Sequence, residues 1–257
     1  MRIPLKIAAH DLMRYFIFSD VHANLEAFHA VLSAVAQESI DRTIFLGDIV
    51  GYGSRPNEVI DLLKEVNPDI MLRGNHDKIV AGIEDGSDFN PEARISAMWA
   101  RRQIRLDNKK YLRRMPKGPI ALGERIEASH GSPDDEDFYI LSDWDAHGVL
   151  HRSQSWIVLF GHTHIPTIYS MEPRIVNTYP ADDDFCYLLS RQKCYLINPG
   201  SVGQPRDLNP KASFALLDTE AHTIQIKRVD YDIRVAQDGI RNAGLPEWHA
   251  DRLAIGR

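Results

Sequence analysis

The sequence predicts an α/β protein: one domain with two packed sheets, the first largely parallel. Three observations predict it. The first third alternates short continuous apolar runs with amphipathic stretches, the pattern of βαβ units. The last third carries mostly β-type runs at close spacing, and no linker, repeat or low-complexity segment divides the two halves. With 257 residues, 26% charged and 44% hydrophobic, the chain has the size and balance to bury a large core.

The elements follow in order. Residues 1–12, MRIPLKIAAHDL, show little periodicity and read as a leader without clear structure, with Met13 a second candidate start of translation. The single domain is expected over 13–257. RYFIF (14–18) and RTIFL (42–46) are buried-strand runs. Between them Leu25, Phe28, Val31, Leu32 and Val35 form one helical stripe behind Asn24, a candidate N-cap. Val59, Ile60, Leu63 and Val66 repeat the pattern over 55–68, and DIMLR (69–73) is the next strand. Asn90 followed by Pro91 marks a helix start and opens a helical insertion over about 90–117, expected to break between Leu106 and Asn108. Strands are expected at 124–130 and 155–164 around a helix at 143–152. Strand signals continue through TIYSM, KCYLINPG, SFALLDT and TIQIKRVDY, and helical stretches end the chain.

A net charge of −6 gives no general attraction to duplex nucleic acid or to an anionic membrane. Cys186 and Cys194 are too few and wrongly spaced for a disulfide framework, which suits a reducing compartment. No apolar run approaches the ~20 residues that cross a bilayer, and Lys6, His10 and Asp11 interrupt any signal-peptide core. The expected location is the cytoplasm.

The chemistry gathers at strand ends. The first strand runs into SDVH (Asp20, His22), the second into LGDIVG (Asp48), the third into GNHD (Asn75, His76, Asp77); SHGSP (His130) and GHTH (His162, His164) follow. Ligands of open α/β sheets bind outside the carboxyl ends of the strands, so these groups should converge on one rim. Asp20 and His22 stand two apart, which in extended backbone projects both to one side, and His162 and His164 share the spacing, with Gly161 permitting the turn. Imidazoles combined with oxygen donors suit a divalent transition metal, and there are too many for one ion. Two ions about 3.5–4 Å apart, sharing a carboxylate for which Asp48 is placed, form a clamp for displacement at phosphorus.

The ordered set D-x-H, G-D, G-N-H-D, H-G and G-H-T-H resembles the calcineurin-like metallophosphoesterase superfamily. FSDVHANLEA, LGDIVGYG, RPNEVIDLL, FGHTHIP and NPGSVGQPRD resemble its small bacterial and archaeal phosphodiesterase branch. The likeness spans about Tyr15 to Tyr231. It implies a four-layer α/β/β/α sandwich and two divalent metal ions, manganese or iron first, with zinc, nickel or cobalt as alternatives. Asp20, His22 and His164 would hold the first ion, Asn75, His130 and His162 the second, and Asp48 would bridge. The resemblance also implies in-line attack of a metal-bridging hydroxide, with His76 protonating the leaving oxygen and Asp77 orienting His76. One departure is Asp134, where relatives often carry arginine; it puts a phosphate contact from that loop in doubt.

Weaker signals remain. Arg206 in GQPRD is a candidate phosphate clamp, because a guanidinium matches phosphate oxygens in pairs. The basic stretch from Arg101 to Lys117 reads as a solvated helix face over Met98, Trp99, Leu112 and Met115, the alternative being a lid that steers anionic substrate. Asp182, Asp183 and Asp184 read as a solvated acidic turn. His10, His29, His147, His151, His222 and His249 lie outside the motifs. The leading expectation is a phosphodiesterase acting on small phosphoesters or nucleotides. A dinucleoside polyphosphate hydrolase or phosphomonoesterase would use the same site. A non-catalytic metal-binding scaffold is the alternative of another class, and the presence of His76 weighs against it. Oligomeric state is not set by these signals.

Overall fold

A computed structural model describes residues 13–123, 125–181 and 184–257. The expected leader over 1–12 lies outside the described residues, as do Glu124, Asp182 and Asp183. The chain begins with Arg14–Phe18 (β1), Leu25–Val35 (α1), Arg42–Phe45 (β2), Pro56–Val66 (α2) and Ile70–Met71 (β3). Three helices follow: Asn75–Ala81 (α3), Pro91–Gln103 (α4) and Leu106–Arg114 (α5). The middle holds Ile120–Leu122 (β4), Ile126–Ala128 (β5), Asp143–Arg152 (α6) and Ile157–Leu159 (β6). The β-rich part comprises Thr167–Glu172 (β7), Ile175–Pro180 (β8), Cys186–Leu188 (β9), Cys194–Asn198 (β10), Ala212–Asp218 (β11) and Thr223–Val229 (β12). Ile233–Asn242 (α7) and Glu247–Asp251 (α8) close the chain, followed by one 3-10 turn.

Two six-stranded mixed sheets result, ordered β3-β2-β1-β11-β12-β9 and β4-β5-β6-β10-β7-β8. Residue alternation assigns each strand face to a different core. On β1, Phe16 and Phe18 pack with α1 and α2, whereas Tyr15 and Ile17 pack against the other sheet. On β6, Ile157 and Leu159 meet the first sheet while Val158 faces Ala146, Val149 and Leu150 of α6. Both sheets are therefore buried on both faces, which is why their central strands read as unbroken apolar runs rather than alternating ones. The product is the four-layer α/β/β/α sandwich that the motifs imply. No helix among the described residues is long and apolar enough to cross a membrane.

Caps behave as the sequence indicates. Asn24 accepts from the Ala27 amide at 3.1 Å, and Asn90 accepts from Ala93 with Pro91 behind it. Three expectations move. The α4–α5 break falls at Ile104 and Arg105, both in extended backbone, because Asn57 Oδ1 holds the Arg105 amide at 2.9 Å. GNHD opens the short helix α3 rather than only a turn, since Asp77 at its third position reaches back to the Gly74 amide. The strands β4, β8 and β9 were not expected; β4 and β9 have three residues each, too few to show a period, and β8 is largely exposed.

Candidate metal centre

The parallel strands β1, β2 and β3 of one sheet and β5 and β6 of the other deliver their carboxyl ends to one rim. Asp20, His22, Asp48, His76, Asp77, His130, His162 and His164 all sit there, each 3% exposed or less, and Asn75 is 9% exposed. The ligand-type side chains form three overlapping clusters: Asp20 with His22 and His164, Asp48 with His130 and His162, and His22 with Asp48 and His76.

The local backbone differs from the extended form expected of D-x-H and H-T-H. Asp20, His22, Asp48, His162 and His164 all adopt positive φ, between 49° and 66°. Left-handed residues are costly for L side chains and are found where tertiary contacts force them. Here the forcing contacts are backbone bonds laced between loops: the Asp20 amide donates to Gly47 O, His22 to Asp48 O, Ala23 to Ile49 O and Gly203 to Asp20 O. Gly161 serves a close approach rather than an unusual φ. A Cβ there would lie 2.1 Å from Ser19 Oγ. Gly74 is needed in the same way, with a Cβ falling 2.0 Å from Asp48 Oδ1.

The nitrogen tautomers identify what the centre accepts. His22 Nδ1 lies 3.0 Å from Val50 O, His164 Nδ1 2.6 Å from Gln204 O and His130 Nδ1 2.8 Å from Leu46 O. A carbonyl can only accept, so each Nδ1 carries its proton and a neutral ring turns its Nε2 lone pair inward. His22 Nε2 and His164 Nε2 then stand 3.1 Å apart, with His164 Nε2 3.3 Å from Asp20 Oδ1, a buried carboxylate oxygen that accepts no hydrogen bond. Lone pairs facing one another in a dry site are repulsive unless a cation lies among them. The donor set therefore fits a metal ion, and the carbonyl partners are the supports that orient imidazole ligands.

Asp48 is shared. Its Oδ2 lies 3.7 Å from His22 Nε2 and 3.4 Å from His130 Nε2. Asn75 Oδ1 stands 3.4 Å from His130 Nε2, and His162 Nε2 bonds Asp137 O at 3.0 Å, leaving Nδ1 as its second donor atom. Burial opposes charge on His130, but the Asp48 carboxylate prevails and pushes its pKa up to about 10. Burial and the His130 charge push His162 down to about 3. Burial raises Asp48, and the neighbouring imidazoles, His130 foremost, more than reverse it.

His76 and Asp77 divide differently from what the resemblance implied. Asp77 does not touch the His76 ring. Its Oδ2 accepts from the Gly74 and Asp48 amides at 2.9 and 2.8 Å, and its Oδ1 from Ile49 and Val50 at 3.0 and 3.3 Å. As the third residue of α3 its side chain folds back over the helix start, so it fixes the loop carrying Asp48. The His76 ring sits among His22, Tyr52 and Phe89, with centroids 4.9, 4.4 and 4.6 Å away. Its Nδ1 is buried without a hydrogen-bond partner, and burial holds its pKa well below the ordinary histidine value.

Arg206 lies beside the centre, its amide on His164 O at 3.3 Å and its guanidinium 5.6 Å from the Tyr52 ring centroid. Asp134 pairs with Arg152 at the surface, away from any phosphate role. In the basic stretch, Arg101 bonds Glu84 O, Arg105 bonds Asp61 and Arg113 bonds Ala81 O, all protein partners. Sequence reasoning missed Tyr52, Phe89 and Tyr139, which line the cavity beside the centre. Tyr52 follows Gly51 in LGDIVGYG and was within reach of the motif. The others come from segments without a motif, joined only by the fold.

Comparison with known proteins agrees with this geometry. A model of the calcineurin-like phosphoesterase superfamily domain matches residues 13–222. The uncharacterized protein MJ0912 of Methanocaldococcus jannaschii is 37% identical over 245 residues, which is 94% of this chain and 97% of that protein. The crystal structure of a metallophosphoesterase from Sphaerobacter thermophilus is 36% identical with a TM-score of 0.83, over 96% of this chain and 100% of that one. The hypothetical protein PH1004 of Pyrococcus horikoshii shares the fold, with a TM-score of 0.78 at 21% identity over 95% and 98% of the two chains.

Proposed function

The chain belongs to the calcineurin-like phosphoesterase superfamily and is a metal-dependent phosphoester hydrolase, and on that premise we propose that it is a two-metal phosphodiesterase of small phosphoesters or nucleotides. The observation that carries the reading is Asp48, one buried carboxylate shared between a His22/Asp20/His164 group and a His130/His162/Asn75 group. Two ions held on those groups would supply Lewis-acid charge for the phosphoryl oxygens and lower the pKa of a water at the site. The donor set mixes imidazoles with carboxylate and amide oxygens, and such a mixture admits manganese or iron first, with zinc, nickel or cobalt as alternatives. The domain is taken as residues 13–257.

The remaining roles belong to side chains. Arg206 is placed to pair with the phosphate, its guanidinium offering two parallel donors. His76 lines the cavity beside the centre and is assigned as the group that hands a proton to the departing oxygen. Its surroundings keep it neutral in the free protein, so the proton must be acquired with substrate anion in place, as a nearby negative charge favours the imidazolium. Asp77 acts on Asp48 rather than on His76.

The test is a metal-reconstituted screen of phosphodiesters, phosphomonoesters and dinucleoside polyphosphates, with His76→Ala alongside and metal content measured on both proteins. We expect two ions per chain in each and a loss of about 10²–10⁴ in kcat/KM for His76→Ala on esters with poor leaving groups. Loss of an ion in His76→Ala would make His76 a ligand. Inertness of the wild type toward every ester with every metal would leave the scaffold reading.

A further inference from the structure

Beside the metal centre lies a cavity of about 820 Å³, with Asn75, His76 and His162 on its inner wall. That volume far exceeds what a phosphate group needs, and the group assigned to protonate the leaving oxygen faces it. Whatever departs from phosphorus must therefore lie in this space.

The rest of the wall has a definite chemistry. Tyr52, Phe89 and Tyr139 give it aromatic surface, and Tyr139 lies with its ring centroid 3.8 Å from that of His162. Glu84, Asp85, Asp88 and Asp137 give it four carboxylates, and among the described residues no lysine or arginine lines it. Lys78 meets Asp137 at 2.5 Å and Glu84 at 3.0 Å from beneath, along with Glu136 at 3.4 Å. The lysine ammonium already stands among these three carboxylates, so they are not a vacant metal site. It meets neither Asp85 nor Asp88; Asp85 accepts from the Ser87 amide and feels the Arg94 charge, so the four lining carboxylates outnumber the two cations, Lys78 and Arg94, set against them. The guanidinium of Arg206 lies on the Tyr52 ring, so positive charge is offered to the phosphate and negative charge to the leaving group.

We propose that the cavity binds the leaving alcohol and selects one carrying an organic ammonium group, seated on the aromatic rings and facing Asp85 and Asp88. The proposal rests on the phosphodiesterase reading of the adjacent centre. Aromatic faces and carboxylates are the two surfaces that attract an alkylammonium, through the ring quadrupole and through charge. A leaving group bearing further phosphates would meet the same carboxylates as like charges. The geometry thus favours a zwitterionic diester over a dinucleoside polyphosphate.

The test uses the metal-loaded full chain and Asp85→Asn/Asp88→Asn. Calorimetry measures binding of benzyltrimethylammonium and of benzoate. Kinetics compare two methyl aryl phosphodiesters whose phenol carries either a trimethylammonium or a carboxylate, and the wild-type-to-variant ratio cancels their intrinsic reactivities. We expect the ammonium ion to bind and benzoate not to. Its affinity, and the cationic-to-anionic ratio of kcat/KM, should each fall roughly tenfold in the variant, and less so at high salt. An unchanged ratio, or a wild-type preference for the carboxylate ester, overturns the proposal. If neither ester is cleaved yet the ammonium ion binds and loses affinity in the variant, the hydrolase reading fails and the cation pocket stands. Cleavage of both without charge preference, and no binding of the ammonium ion, removes the pocket and keeps the hydrolase.

Discussion

Replacing Asp77 by Asn is the sharpest probe of how the centre is held. The carboxylate accepts four backbone N–H groups, two on each oxygen, from Gly74, Asp48, Ile49 and Val50. Asparagine keeps one accepting oxygen and turns an NH₂ toward two N–H donors, so two bonds to a charged acceptor are lost. At about 1.5–3 kcal/mol each, that is about 3–6 kcal/mol. Part of it returns, because burial and the nearby Asp48 charge push the Asp77 pKa up to about 7, and a neutral amide escapes both. The lower end, about 3 kcal/mol near pH 7, is the expected loss. It should appear in urea unfolding of chelator-treated protein, and metal titration by calorimetry should show at least tenfold weaker binding as the Asp48 loop loosens. A loss below about 1 kcal/mol with unchanged metal affinity would refute the reasoning. If activity alone fell, and only on esters with poor leaving groups, Asp77 would be acting on His76 after all.

Gly74→Ala places a methyl 2.0 Å from Asp48 Oδ1 and 2.7 Å from its backbone nitrogen; elemental analysis should find fewer than two ions per chain, and a full complement would show that Asp48 can yield. Phe18→Ala removes a fully buried ring that packs on Phe16, Phe28 and Phe45. It should cost about 3–5 kcal/mol in urea unfolding, a result under about 1 kcal/mol contradicting a tightly packed core. Burial raises Glu136, but the hydrogen bonds from Arg73 and the Lys78 charge hold its pKa below the ordinary value. Because the folded value is depressed, its stabilisation is present above the unfolded value near ~4.3 and is lost as pH falls through the folded one. Urea midpoints of metal-stripped protein should therefore drop more steeply below that pH than those of Glu136→Gln, and parallel curves would count against the linkage.

How much was legible divides along physical lines. Strand runs such as RYFIF and RTIFL were readable because both faces of each sheet are covered, which leaves no polar positions to break the run. Asn24 and Asn90 were readable because capping is local chemistry. The residues that gather into candidate metal clusters were readable as residue types at strand ends, but the backbone delivering them was not, since positive φ at Asp20, His22 and Asp48 is imposed by bonds from distant loops. The role of Asp77 was obscured for the same reason: adjacency in GNHD suggests His76 as its partner, whereas its four donors come from residues 27 to 29 positions earlier or three earlier and become neighbours only in the fold. The acidic cavity was unreadable because Glu84, Asp85 and Asp88 look like any solvated loop until β5 and β6 bring Asp137 and Tyr139 opposite them.

The strained residues also bear on what metal binding has to accomplish. Each left-handed ligand position costs of order 1–3 kcal/mol and persists only if its surroundings over-determine it. Here bonds within the protein do so: Ser201 Oγ and the Gly203 amide both bond Asp20 O, the His162 amide bonds Asp20 Oδ2, and the His76 amide bonds Asp48 Oδ1. The carboxylates are thereby fixed through one set of lone pairs while others face the centre. His22, His130 and His164 are fixed through Nδ1 in the same way, and His162 through Nε2. A site whose ligands are each anchored by a second bond does not need the ion to gather it, so metal affinity is not offset by the cost of folding loops around the ion. The corollary concerns His76, a rim ring whose Nδ1 is buried with no hydrogen-bond partner. It packs among His22, Tyr52 and Phe89 rather than being tied down through Nδ1. Such freedom suits a group that must take up and give away a proton better than one that must hold a metal in place.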